Sequence, residues 1–512
     1  MRSATQLWAC LLVAVLSAGT LDARQAANED VARRQLESGR AFARQGNYTE
    51  ALKDFRAVAE THAATSVADD ALLEIARYYL DVAGDAAQAS AAVDAILRNY
   101  ATSDSAPDAY VMGGRLALAR SRQSADLEAA LANFDRVIRL FPASDAVARS
   151  LQLSGETFYY AGRLDDALAN LGRVTAEYPA TPAAAEAYLA AGRVLVALGR
   201  PTLAMEELQQ VRNRWPGSEA AATALARTTL LHRLYVRAPT GPAFAPTRET
   251  VGPARLRDVR RLVRSGGGRI YFATESSLGL IDAAANDRVP AFSRLRGLTV
   301  DAAGNPIAID SASLKSLDGG SAPLLLPESD GSARALDKIV DAAQLSNGQW
   351  LLMDEDQRAI HRFNRDGSYV SVFTAARVAR MAVGATDQVA AIERDRRDVL
   401  VFDSAGKVNA RIALRAGTLD LRDPEDLAFD DFGHLYVLGR GALAVFSPYP
   451  ERAAGDAPAG AGAPASTGYR LLTVFAPDRQ TGGFDRATAL LVDASGGALI
   501  YDGRAERILV YR

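Results

Sequence analysis

Acidic side chains recur at one place in the second half of the chain. Asp310, Asp354, Glu393 and Asp502 each stand six residues past a turn position, at Gly304, Gly348, Asp387 and Gly496. Carboxylates at equivalent places in a ring of repeats would face one rim of its channel and could hold a cation or a basic ligand. The plainer alternative is that each caps its turn or pairs with an arginine such as Arg358, Arg397 or Arg507. Other chemistry is scarce. Of the four histidines, His62, His232, His361 and His434, only the last two fall in the strand-patterned half, in different repeats and without the carboxylate partners of a metal site. No HExxH, GxSxG or phosphate-cradling glycine loop occurs. SGGGR at 265–269 precedes a strand pattern and reads as a hairpin turn. The residues therefore predict no catalytic constellation, no cofactor and no metal.

The elements that position these residues belong to more than one domain, because 512 residues exceed one ordinary core. The chain is 49% hydrophobic and 23% charged, as in a soluble globular protein, and a net charge of -3 implies no nucleic-acid-binding surface. Arg2 followed by LWACLLVAVLSAG predicts an export signal over 1–23, cleaved after Ala18, Gly19 or Ala23. This run is shorter than the roughly 20 residues that span a bilayer. Cys10, the only cysteine, lies inside the apolar run and reads as signal core rather than as a lipidation site. The mature chain then has no disulfide, thiol nucleophile or thiolate ligand. No later segment is long and apolar enough to span a membrane.

The first half repeats. HAATS (62–66), YATSD (100–104), FPASD (141–145), YPATP (178–182) and WPGSE (215–219) begin 38, 41, 37 and 37 residues apart. The long interval holds extra residues at 120–128. Upstream of each stretch stand Ala51, Ala89, Ala130, Ala167 and Ala204, followed four residues later by Phe55, Val93, Phe134, Leu171 and Leu208. Three further on come Val58, Ile96, Val137, Val174 and Val211, so these positions share one helix face. The constant alanine predicts a close helix crossing. Gly46, Gly84, Gly162 and Gly199 predict left-handed turns between paired helices.

These residues resemble the tetratricopeptide repeat, most closely at GNYTEALKDF (46–55) and GRLDDALANL (162–171). The long period and the Y-P-x-S/T-x-x-A form resemble the periplasmic branch of that family, which includes the BamD-like assembly lipoproteins and the Tol–Pal coordinator. The resemblance implies an all-α helical-repeat solenoid of about five repeats over 30–235. It also implies that Arg40, Tyr78, Arg115, Glu156 and Arg193 face a partner groove, with Tyr159 and Tyr160 one turn from Glu156. Such a groove would offer arginine clamps and tyrosine platforms to a peptide or acidic segment. The alternative is a solvated helix face in a chain rich in alanine and arginine.

Residues 236–253 form a proline-rich linker, VRAPTGPAFAPTRETVGP. Beyond it the apolar spacing drops to two. Six copies of a strand–turn–strand–strand motif begin near 260, 297, 338, 380, 426 and 489, with turns at Gly268, Gly304, Gly348, Asp387, Gly433 and Gly496. Most intervals are near the 40 residues of a four-stranded blade. The insertion AAGDAPAGAGAPASTG (453–468) reads as a mobile loop. The pattern at 354–363, 393–402 and 430–446 resembles the NHL-type repeat, which implies an all-β six-bladed propeller over 254–512. The chain ends on the third strand of blade six, so its outer strand is expected from 240–256.

Together these features predict an exported, non-enzymatic scaffold that joins proteins in the cell envelope through a repeat groove and a propeller face. Protein partners are expected, with no nucleic acid and no transmembrane segment in the mature chain. A periplasmic location follows from the signal and the resemblance. One alternative is recognition of glycan or peptidoglycan fragments by the propeller, although its only tryptophan, Trp350, lies within a strand. The other is a propeller-type lyase or hydrolase, although lyases of the NHL group use a metal and several histidines that this chain lacks.

Overall fold

A computed structural model describes residues 25–512, apart from 250, 254, 282–291, 293–294, 311–312, 318–319, 328–331, 337, 417–418, 450–467 and 478–482. The signal at 1–23 and most of the 453–468 insertion lie outside the described residues. The chain divides into two compact units, 1–157 and 158–512.

The first unit is helical: α1 (25–44), α2 (Tyr48–Thr61), α3 (Ala68–Tyr78), α4 (Ala86–Asn99), α5 (Ala106–Arg120), α6 (Ser124–Leu140) and most of α7 (Ala146–Tyr160). Each repeated stretch is one turn. The N–H of His62, Tyr100 and Phe141 donates back to Val58, Ile96 and Val137, and their carbonyls accept from Thr65, Ser103 and Ser144 at 2.9–3.0 Å. His62 thus replaces an aromatic residue without altering the turn. Ala51, Ala89 and Ala130 are at most 1% exposed. The reason is visible across the pair: a Cβ on Gly39 or Gly114 would strike the ring of Phe55 or Phe134. In these two repeats the first helix carries a glycine where the second helix inserts its largest side chain, whereas α3 has Arg77 at that position. Gly46 and Gly84 take φ of 76° and 67°, the left-handed values that fit a sharp helix–helix turn. After α3 the chain makes one π-helical turn, Tyr79–Ala83.

The second unit holds the end of α7, then α8 (Leu164–Glu177), α9 (Pro182–Ala197), α10 (Pro201–Arg214) and α11 (Glu219–Leu231), and the strands. The same turn recurs at Tyr178 and Trp215. A π-helical turn, His232–Arg237, leaves α11. Six antiparallel blades follow. Their innermost strands are Arg261–Arg264, Leu295–Val300, Ile339–Gln344, Val378–Val383, Pro424–Phe429 and Ala487–Val492. Each packs on the next, and the sixth packs on the first, so the ring is closed. All six turn positions have positive φ, from 59° at Asp387 to 82° at Gly348. Asp387 holds this conformation while accepting from Ser346 N (2.8 Å) and Ser346 Oγ (2.7 Å) in the preceding blade. Blades two to five have four strands. Blade six supplies three, and its outer edge pairs with the segment before blade one. Ala245 and Arg512 exchange bonds of 2.9 Å, Thr247 N donates to Val510 O, and Val251 bridges Ile508. The end of the proline-rich segment is therefore the closing strand.

Across the channel, Arg261 of blade one reaches Asp426 of blade five at 2.5 Å and Asp341 of blade three at 3.6 Å. Each acid also fixes the next blade: Asp341 accepts from Met381 N at 2.7 Å and Asp426 from Leu490 N at 2.9 Å. A cavity of about 470 Å³ is lined by these inner strands.

Candidate functional site

In the first unit, α1, α2 and α3 enclose a pocket of about 420 Å³. Arg40 and Arg44 come from α1, Tyr48 and Leu52 from α2, Glu74, Arg77 and Tyr78 from α3, and Asp81 and Val82 from the π-helical turn. The Tyr48 and Tyr78 rings lie 5.2 Å apart, and Tyr78 meets Tyr79 edge-on at 5.2 Å. Val82 is 50% exposed, an apolar side chain left open to water at the pocket. The π-helical turn puts it there, because the wider turn carries the chain outward before Gly84 reverses it.

The charged rim is largely paired. Arg40 binds Glu74 at 2.9 Å and lies 3.6 Å from Asp70. Arg77 shares Glu74 at 3.4 Å, and Arg115 meets Asp81 at 2.5 Å. Arg44 is exposed and forms no ion pair among the described residues. The pocket therefore offers an apolar and aromatic surface with a nearly neutral rim. It has no histidine or cysteine, and both its carboxylates are engaged. Such a lining suits an apolar or aromatic side chain. Of the anticipated groove residues, Arg40 and Tyr78 meet here, and Arg115 reaches its edge through Asp81. Glu156 bonds Gln152 within α7 at 2.7 Å.

The other anticipated residues belong to the second unit. Tyr159 is 9% exposed, lies 5.6 Å from Tyr160, and has its hydroxyl 3.4 Å from that of Tyr449 in the propeller. Burial holds its phenol above the usual tyrosine pKa. Arg193 is within electrostatic reach of it. Here the repeat helices pack on blades five and six. Tyr188, Leu208, Leu230 and Leu234 share one core with Phe432, Tyr436, Ile500 and Tyr511. Arg227 pairs with Asp431 at 3.3 Å. His434, fully buried, holds Asp430 Oδ2 through Nδ1 at 2.8 Å and the Tyr235 hydroxyl through Nε2 at 2.8 Å. This Asp–His–Tyr chain ties the turn after α11 to blade five.

The recurring acids are engaged one by one, on four different blades. Asp310 pairs with Lys315 and Glu393 with Arg411. Asp354 accepts from Asp356 N at 2.9 Å through Oδ1 while its buried Oδ2 has no hydrogen-bond partner, and Asp502 accepts from Arg486 N at 3.0 Å and Arg504 N at 3.2 Å. Among the described residues no group of three metal-ligating side chains converges. Sequence reasoning did not select Tyr48, Val82 or Arg261. Tyr48 had a signal, since it sits two residues past the turn glycine of the first repeat. Arg261 had none: RRLVR reads as a solvated strand edge.

Comparison with known families agrees with the helical geometry. The family model described as "Outer membrane lipoprotein" matches residues 30–153, and the one described as "Tetratricopeptide repeat" matches 153–219. No curated protein matches the chain. Among solved structures, a streptogramin B lyase is 10% identical, covering 52% of this chain and 97% of its own, with a TM-score of 0.34. Virginiamycin B lyase from Staphylococcus aureus is also 10% identical, over 50% and 81%, with a TM-score of 0.33. A thermophilic tetratricopeptide-repeat protein of Thermus thermophilus is 22% identical, over 38% and 98%, with a TM-score of 0.31. Residues 30–219 thus carry tetratricopeptide-type repeats, in their first part similar to the outer-membrane-lipoprotein family, and the strand-rich half after them is a six-bladed propeller.

Proposed function

We propose that this protein is a non-enzymatic adaptor of the cell envelope, whose pocket between α1, α2 and α3 receives a segment of a partner protein. The observation that carries this reading is the open apolar surface formed by Tyr48, Leu52, Tyr78 and Val82. Tyrosines in partly buried pockets are common anchors of protein interfaces. An envelope location is supported by the match to an outer-membrane-lipoprotein family and by the export-signal pattern at 1–23. No described helix is long and apolar enough to cross a membrane. The propeller then serves as the rigid body on which the last repeats are mounted.

The reading is tested by capture of partners from envelope extract with the full chain and with Tyr78→Ala. Removing one ring should weaken capture by at least about tenfold, roughly 1.4 kcal/mol. Equal capture by both proteins would contradict this use of the pocket.

A further inference from the structure

The turn that leaves α11 carries a buried cation with no hydrogen bond or close ion pair among the described residues; Tyr436 and Asp493 of the ring act on it only at longer range. Arg233 lies in the π-helical turn His232–Arg237 and is 6% exposed. Its guanidinium carbon lies 5.6 Å from the centre of the Phe244 ring. It makes no hydrogen bond or ion pair among the described residues, and Nη1 is buried and unpaired. An unpaired buried charge is costly and calls for a physical explanation.

Two more arginines stand close by. Arg237 follows four residues later in the same turn, which Ala238 N closes onto Arg233 O at 3.0 Å. A π-helical turn brings residues four and five apart to one side. The Arg237 side chain likewise has no ion-pair partner among the described residues. Arg512 is held by its paired backbone bonds to Ala245, and its side chain meets the exposed Glu249 at 3.1 Å and Asp493 at 3.9 Å. Both arginines lie within electrostatic reach of Arg233. One oxygen of Asp493 is already used, accepting from Ser495 N (2.9 Å), Ser495 Oγ (2.7 Å) and Gly497 N (2.8 Å). Arg233, Arg237 and Arg512 thus bring three positive charges near one another, while the two carboxylates beside them, Glu249 and Asp493, are drawn to Arg512.

The geometry adds specificity. A guanidinium held against an aromatic ring presents its N–H edge sideways. That edge is a planar fork that matches an oxyanion with two parallel hydrogen bonds. We infer that Arg233, Arg237 and Arg512 form a binding site for a small phosphate-type oxyanion, free phosphate or the phosphate group of a soluble phosphomonoester. This site is separate from the pocket of the first unit and does not depend on the adaptor reading.

The test is equilibrium dialysis of the full chain against inorganic phosphate, with ionic strength held constant by chloride. Saturable binding of about one phosphate per chain is expected. Arg237→Ala, at a half-buried position, should weaken binding at least tenfold while leaving the thermal midpoint in chloride unchanged. Arg233→Met, which keeps the aliphatic packing, should abolish it, and the distant Arg440→Ala should not alter it. Absence of saturable binding, or binding retained by both Arg237→Ala and Arg233→Met, overturns the assignment. So does displacement of phosphate by an equal concentration of acetate, or binding to phosphatidylglycerol vesicles in place of free phosphate.

Discussion

His361 is 4% exposed on the third strand of blade three, and neither ring nitrogen has a hydrogen-bond partner. Burial pulls its pKa below the ordinary 6.5, against a weaker upward pull from Asp354. The sign follows from proton counting. In the unfolded chain His361 takes up its proton near pH 6.5, and in the folded chain only at lower pH. Below about pH 6.5 the unfolded state binds more protons, so stability present above that value is lost as pH falls. His361→Phe removes the titrating group and keeps the volume. Urea unfolding at pH 7, 6 and 5 should show a smaller loss for the variant than for the parent. Equal losses would mean that another group sets the acid limb. The same scale explains Asp387, the one non-glycine at a blade turn. Its left-handed backbone costs about 1–2 kcal/mol, and its two bonds to Ser346 offset that cost.

At the scale of elements, the repeat rests on one device: glycine on the first helix opposite a large side chain on the second. Gly114→Ala places a methyl against the Phe134 ring, which is 0% exposed and has nowhere to go. Overpacking of this kind costs about 1–3 kcal/mol, and a denaturant midpoint measures it. Gly172→Ala, where a methyl would meet nothing within 4 Å, should be neutral or stabilising. The second-helix half of this device was legible in the sequence because the alanine and the large side chain four residues after it recur in all five repeats; the glycine opposite is missing from α3, where Arg77 stands. The blade turns were legible for the same reason, since left-handed backbone selects glycine. The closing strand was legible from a count of strands. The docking of α8–α11 onto blades five and six was not. Leu230 and Phe432 fit their own helix and turn patterns, and nothing in either pattern says that they meet. The pocket was half legible. Arg40 and Tyr78 follow from the repeat register, but the acids that neutralise Arg40 come from another helix, and Val82 is exposed only because α3 ends in a π-helical turn.

At the scale of the molecule, the ring depends on contacts that cross its centre. Arg261 joins blades one, three and five, and its two acids hold blades four and six. Arg261→Met leaves Asp341 and Asp426 buried without their cation, a loss of about 3–5 kcal/mol. Calorimetry should show the transition of the second unit moving down. An unchanged transition would mean that the two acids are satisfied by their backbone bonds alone. The adaptor reading asks something different of the first unit: its pocket must be the surface that a partner touches. The most direct test places a photo-crosslinking amino acid at Val82, in the pocket, and at Lys53, whose side chain is 76% exposed outside it. After irradiation in cells, the account predicts a discrete adduct from Val82 that is lost when Tyr78→Ala is added, and none from Lys53. The same adducts from both positions, or a Val82 adduct indifferent to Tyr78, would contradict it.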